Sequence, residues 1–278
     1  MERRPPCLAA NLGIVEYGRA WELQKKLHAA RVRQEIGDML LLLEHPPTLT
    51  MGKSGSMKNV LASRERLAQL GISLFLIERG GDVTYHGPGQ IVGYPIMDLK
   101  GRDKDIYRFV TDLEEVMIRT ARDFHVEAGR DPEHRGVWVN GGELGAIGLS
   151  IRRWVSMHGF AFNVTTNLDH FTIINPCGFS DRQATSLAAL LGRDISIYWG
   201  SRRPLRQHKP PEPPPQSSLR SLSWIPCCLQ QGHLLETARE RVQSHFSDVF
   251  DVNIIPTTEE ELNRMLDDRL ATKERALS

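Results

Sequence analysis

The chain has 278 residues, 40% of them hydrophobic and 25% charged, with a formal net charge of +1. That is enough for one large domain or two small ones with a sizeable core, and the balance excludes a nucleic-acid or anionic-membrane binder driven by bulk charge. No apolar run approaches the roughly 20 residues of a membrane-spanning helix. MERRPPCLAA lacks the apolar stretch of a secretory signal, and the cysteines Cys7, Cys177, Cys227 and Cys228 form no framework. Free thiols in a reducing, cytoplasmic setting are therefore expected.

In chain order, Tyr17, Ala20, Leu23, Leu27 and Ala30 predict a first helix over 16–35. MLLLL (39–43) is a continuous apolar run suited to a buried strand. His45-Pro46-Pro47 ends it, and 48–52 re-enters extended structure. A short helix over 63–70 stops at Gly71, and Ile72, Leu74 and Leu76 alternate as in a half-buried strand. The polar stretch RGGDVTYHGPGQ (79–90) follows, then a strand over 91–99. The clearest helix is 103–125, where Ile106, Phe109, Val110, Leu113, Val116, Met117, Thr120, Ala121 and Phe124 recur at three and four.

Residues 136–151 read as a hairpin turning at Asn140-Gly141, and 159–164 as a further strand. Phe171 to Ile174 leads into a turn at Asn175-Pro176-Cys177-Gly178, and a helix begins after Ala184 and stops at Gly192. Between Pro204 and Pro215 six of twelve residues are proline, so a segment at about 198–232 is expected to lack regular structure. Helical patterning resumes at Leu235, Ala238, Val242, Phe246 and Val249, and 252–256 is a last strand. The chain thus reads as one domain over 1–256, interrupted at about 198–232, with a charged tail at 257–278, helical or frayed. Strands and helices mix without regular βαβ alternation, which predicts an α+β fold with a mixed or largely antiparallel sheet.

Two places could carry chemistry. Asn-Pro before Cys177 and Gly after it put the thiol on a tight turn where free N–H groups can hold an oxyanion and a thiolate would be a strong nucleophile. The competing reading is a small buried hydrophobe. The glycine-rich stretch ends in no GK[ST] and contains no dinucleotide fingerprint. Its bare backbone either lets a ligand approach closely or forms a bulged hairpin. His86 and His158, each followed by glycine, are candidates for a base, an oxyanion donor or a hydrogen-bonded core histidine. With His45 and Cys177 they match no zinc spacing, so no metal is expected.

Three segments, RGGDVTYHGPGQIVGYPIMDL, GAIGLSIRRWVSMHGFAFNV and INPCGFSD…TSL, occur in an order and at separations that closely resemble the octanoyltransferases of lipoate synthesis. EHPPTLTMG (44–52) is similar to that family's earlier strand and turn, and the likeness covers roughly residues 10–197. The resemblance implies the biotin/lipoate ligase catalytic-domain fold, a mixed sheet flanked by helices. It implies transfer of an octanoyl group from acyl carrier protein to a lysine of lipoyl domains, as in 2-oxoacid dehydrogenases such as pyruvate dehydrogenase and in the glycine cleavage H protein, with no cofactor and no nucleic-acid or membrane partner. By the same resemblance Cys177 is the acyl-thioester cysteine. The substrate-binding residues are Arg79, Gly80, Gly81, Asp82, Val83, Thr84, Tyr85 and His86, then Ala146, Ile147 and Gly148, then Gly159, Phe160 and Ala161, with His158 as an auxiliary candidate. Tyr85 and His86 are expected to shape the mouth of an acyl groove walled by bare glycine backbone.

One position departs from the family. Where it carries a lysine in the hairpin before AIGL, this chain has Glu143. A carboxylate there should favour the neutral thiol, opposite to a lysine, and Arg152 and Arg153 cannot deprotonate an amine. Another base, His86 or His158, would then be needed. The leading reading is therefore an octanoyltransferase, and the alternative is a degenerate, non-catalytic acyl or lipoyl-domain binding homologue on the same fold. An ATP-dependent lipoate or biotin ligase lacks its adenylate loop here, and a cysteine hydrolase of acyl thioesters would differ only in admitting water.

Overall fold

The computed structural model describes residues 4–175, 183–192 and 231–277. Its main sheet has seven strands. β1 (Pro6–Ile14) opens the chain, and α1 (Tyr17–Val32) leads to β2 (Asp38–Glu44). β2 is apolar throughout because both of its faces are covered: Met39, Leu41 and Leu43 join one core cluster, Leu40 and Leu42 the other. Next come β3 (Thr48–Met51), α2 (Arg64–Gln69), β4 (Ser73–Leu76), β5 (Val83–His86), β6 (Gln90–Ile96) and α3 (Ile106–Asp123). β7 (Val137–Val139), β8 (Gly142–Arg152), β9 (Val155–Asn163), α4 (Leu187–Leu190), α5 (Gln231–Val249), β10 (Asn253–Thr257) and α6 (Glu259–Leu277) complete the described chain.

The main sheet runs β10-β1-β2-β6-β9-β8-β7, with β1 parallel to both β10 and β2 and the other pairs antiparallel. β4-β3-β5 form a separate three-stranded sheet. One face of the main sheet is covered by α1 and, through Leu262 and Leu266, by α6. The other is covered by α3 and α5, with Phe109, Leu113 and Val116 meeting Ala238, Val242 and Phe246. The small sheet packs Leu49, Met51, Val83 and Tyr85 against Leu67 and Ile174. This is the mixed sheet flanked by helices that the sequence predicts.

Three local readings change. The N-terminal strand β1 is absent from the sequence-based reading, because its small residues carry no alternation. Leu76 is 67% exposed and Ile77 is buried in its place, so the predicted alternation ends at Leu74. A second tight hairpin joins β8 to β9 at Arg153 and Trp154, both at positive φ (51° and 67°), where no glycine or asparagine announces it. The Asn140-Gly141 turn stands as predicted, with φ of 49° and 82°. The proline-rich residues 204–215, Cys227 and Cys228 lie outside the described residues, as does the turn 176–178.

Candidate active site

Register alone brings two of the predicted binding segments together. Across β8 and β9, Ala146 faces Ala161, Ile147 faces Phe160 and Gly148 faces Gly159. The glycine-rich block is stitched onto the same place: the Gly80 N–H donates to the Leu149 carbonyl at 2.8 Å. Arg79 crosses Gly148 so closely that a methyl on that glycine would lie 2.8 Å from Arg79 Cδ. A methyl on Gly159 would collide with the Gly93 carbonyl. Here the glycines serve close approach of side chain and backbone.

Arg79 is buried, and its guanidinium donates to the Thr50 carbonyl at 2.7 Å and to Thr50 Oγ1 at 3.0 Å. A directed chain of hydrogen bonds leaves that hydroxyl. Thr50 donates to His86 Nε2 at 3.3 Å, His86 Nδ1 donates to Gln90 Oε1 at 2.8 Å, and Gln90 Nε2 donates to Asn163 Oδ1 at 3.0 Å. His86 also lies 5.7 Å from the ring of His45, which donates to the Val15 carbonyl at 2.6 Å and accepts from the Tyr94 hydroxyl at 2.7 Å. Tyr17 of α1 lies against both imidazoles, tilted at 4.9 Å from His45 and stacked at 6.1 Å from His86. Burial pushes His86 down to about 3 and His45 to about 4, with their mutual repulsion adding to the fall at His86. Burial and the nearby Arg79 take His158 to about 3. All three are neutral imidazoles at neutral pH, and at that basicity neither His86 nor His158 is matched to a general base's task.

The remaining residues of the block divide by strand alternation. Val83 and Tyr85 point into the small sheet's core, and the Tyr85 hydroxyl meets His170 Nδ1 at 2.8 Å. At 1% exposure, Tyr85 does not wall an opening, contrary to the expectation that it shapes a mouth. The physical reason is the period of two, which turns Tyr85 away whenever Thr84 and His86 face the main sheet. The Asp82 carboxylate binds the loop that follows β3, accepting from the Ser56 N–H at 3.2 Å and from the Asn59 side-chain amide. Gly81 accepts from the Ser54 N–H at 3.3 Å.

Glu143 is fixed by its backbone. Its N–H donates to the Gln183 carbonyl and its carbonyl accepts from the Thr185 N–H, each at 2.9 Å, so β8 is joined at that residue to the segment that follows Cys177. Burial raises the Glu143 carboxyl from 4.5 to about 7, with Arg79 opposing the rise. At that value the group takes up or releases its proton near neutral pH. Cys177 itself lies outside the described residues. Cys7 is buried and its thiol is pushed up to about 12 by burial, with Asp38 adding to the rise, which makes it unreactive.

Residues 16–203 match the lipoyl protein ligase A/B catalytic-domain family. The octanoyltransferase of Caldicellulosiruptor saccharolyticus is 54% identical over 188 residues, covering 67% of this chain and 80% of its own. That of Alkaliphilus metalliredigens is 40% identical over 250 residues, covering 90% and 97%. The chain belongs to the octanoyltransferase family. It is therefore an acyltransferase by family, built on the lipoate-ligase catalytic fold. A solved lipoate-protein ligase A bound with ATP superimposes with a TM-score of 0.62 at 13% identity, over 96% of this chain and 94% of the other. A bi-partite lipoate protein ligase from Thermoplasma acidophilum gives 0.57 at 12% identity, over 96% and 92%. At such identities these two speak for the fold.

Sequence reasoning named the glycine block, β8 and β9 but missed Tyr17, Thr50, Gln90, Tyr94 and Asn163, which orient the site's polar side chains. Thr50 and Gln90 carry a weak signal, since each is a polar residue at a buried strand position. Arg239 carries none. It reaches from α5 to Glu44 Oε1 at 2.9 Å, while Glu44 Oε2 accepts from the Gly89 N–H at 2.7 Å. A buried ion pair thus ties α5 to β2, and through Glu44 to the glycine-rich block.

Proposed function

We propose that this acyltransferase moves an octanoyl group from acyl carrier protein to the lysine of lipoyl domains through a thioester on Cys177. The observation that carries the reading is the close approach of Arg79 and Gly80 to Gly148, with the Gly80 N–H bonded to the Leu149 carbonyl. Backbone this bare lets a linear acyl chain approach closely. The donors would be octanoyl-acyl carrier protein, and the acceptors lipoyl domains of 2-oxoacid dehydrogenases and the glycine cleavage H protein.

The Cys177 thiolate attacks the donor's thioester carbonyl, and the carbon–sulfur bond to the phosphopantetheine breaks, releasing a thiolate that takes up the proton Cys177 had given up. The neutral lysine amine then attacks the enzyme thioester. A carbon–nitrogen bond forms, the bond to Cys177 breaks, and the amine gives up a proton. Of Glu143, His86 and His158, Glu143 alone titrates near neutrality. Its ionised form is the group suited to take that proton.

Glu143 at the family's lysine position also motivates the second reading, a homologue that binds acyl or lipoyl-domain partners without transfer. Intact-mass measurement after mixing with octanoyl-acyl carrier protein, then chasing with a lipoyl domain, separates the two. Transfer gives an octanoyl adduct on Cys177 that the lipoyl domain removes. Binding with no adduct on Cys177 refutes transfer and leaves the second reading.

A further inference from the structure

His158 is buried at 2% exposure, yet neither of its ring nitrogens has a hydrogen-bond partner. Its backbone lies in the left-handed region at φ 60°. Buried polar groups are nearly always bonded, and a strained residue persists only where its surroundings hold it. Here the surroundings are specific. The β6–β9 ladder runs to Gly93 opposite Phe160 and resumes with Asp98 opposite Val155. That register sets His158 opposite Pro95, which has no N–H to offer. The His158 N–H turns instead to Gln24 Oε1 of α1 at 2.9 Å.

In the ladder His158 pairs with Leu149, one position from the Gly148 that Arg79 crosses, and its ring meets Tyr94 edge-on with centroids 6.4 Å apart. One turn before Gln24 on α1, the Trp21 indole N–H is also buried without a partner. An indole can only donate, and a neutral imidazole donates once. The missing partner is thus rich in acceptors, and a carbonyl oxygen has that chemistry.

We propose that His158 is a catalytic residue whose imidazole donates a hydrogen bond to the carbonyl oxygen of the bound acyl thioester. This rests on the acyl-transfer reading above. As the carbonyl carbon is attacked, negative charge gathers on that oxygen, and a donor already fixed in a dry site stabilises it without reorganisation.

The test uses Cys177→Ser protein carrying ¹⁵N-labelled histidine and backbone amides, titrated with octanoyl-pantetheine and followed by NMR. The expected result is a shift of the His158 ring N–H, assigned by its loss in His158→Asn, together with shifts of the Arg79–His86 amides. Amide shifts with an unmoved His158 ring overturn this inference and leave the site reading intact. If no amide moves, the site reading fails and takes the inference with it. In the parent enzyme, His158→Asn should slow acyl loading about 100-fold with a smaller change in KM and an unaltered pH profile. Unchanged loading overturns the role, as does a loss of activity that only follows a fall in melting temperature. Should that variant not fold, His158→Gln takes its place both in assigning the ring signal and in the loading measurement.

Discussion

Glu143 gives the sharpest test of the site's electrostatics. Its carboxyl is raised from 4.5 to about 7 by burial, so the folded chain holds a proton that the unfolded chain has released. Stability therefore falls as pH rises from about 4.5 to 7 and is flat outside that window. At about 1.4 kcal/mol for each unit of pKa, the loss approaches about 3 kcal/mol, an upper figure for a partly exposed residue. Glu143→Gln removes the titration. Its stability relative to the parent should rise through that window, by up to that amount above pH 7, as read from denaturant unfolding at pH 5 and pH 8. The same variant separates two chemical roles. Above pH 7, iodoacetamide alkylation of Cys177 should be faster in Glu143→Gln, because the anion that favours the neutral thiol is gone. Transfer to a lipoyl domain should be slower, because the proton acceptor is gone. Glu143→Lys should speed alkylation and keep transfer. The reasoning is refuted if the stability gap between parent and Glu143→Gln does not change between pH 5 and pH 8. It is equally refuted if Glu143→Gln transfers octanoate as fast as the parent at pH 8.

Arg239→Ala strands Glu44 as a buried unpaired charge and should cost about 3–5 kcal/mol, seen as a lowered denaturant midpoint; a change under about 1 kcal/mol would show the pair to be solvated. Gly159→Ala drives a methyl into the Gly93 carbonyl and should destabilise by about 1–3 kcal/mol, measured the same way, whereas a neutral outcome would mean that β6 and β9 separate freely at that point. His45, His86 and His158 are all held well below their ordinary pKa. The unfolded chain takes up their protons first, so stability should be present above about pH 6.5 and be lost as pH falls toward 4. Midpoints that stay constant from pH 6.5 to 4 would contradict the burial of these rings.

How much of this was legible in the sequence follows from the range over which each cause acts. β2, α3 and the Asn140-Gly141 turn are decided locally, by a five-residue apolar run, a 3.6-residue period and two residues that tolerate positive φ. The likeness to the octanoyltransferases was legible because the glycine block, β8 after Glu143, and β9 carry unbroken motifs. The pairing partners of β1 were not, since β10 is 247 residues further along at the Pro6–Asn253 pair, and strand pairing follows from which backbone edges meet rather than from either strand's composition. The Arg153-Trp154 turn was hidden because the lengths of β8 and β9 impose it on residues that do not favour it. The fate of Tyr85, the basicity of the three histidines and the raised pKa of Glu143 were equally out of reach. A side chain's pKa and its facing depend on what covers it, and burial is a property of the packed chain, not of the residue. Only the assembled structure could show that Arg239 closes on Glu44 across 195 positions, or that His158 is enclosed without a partner.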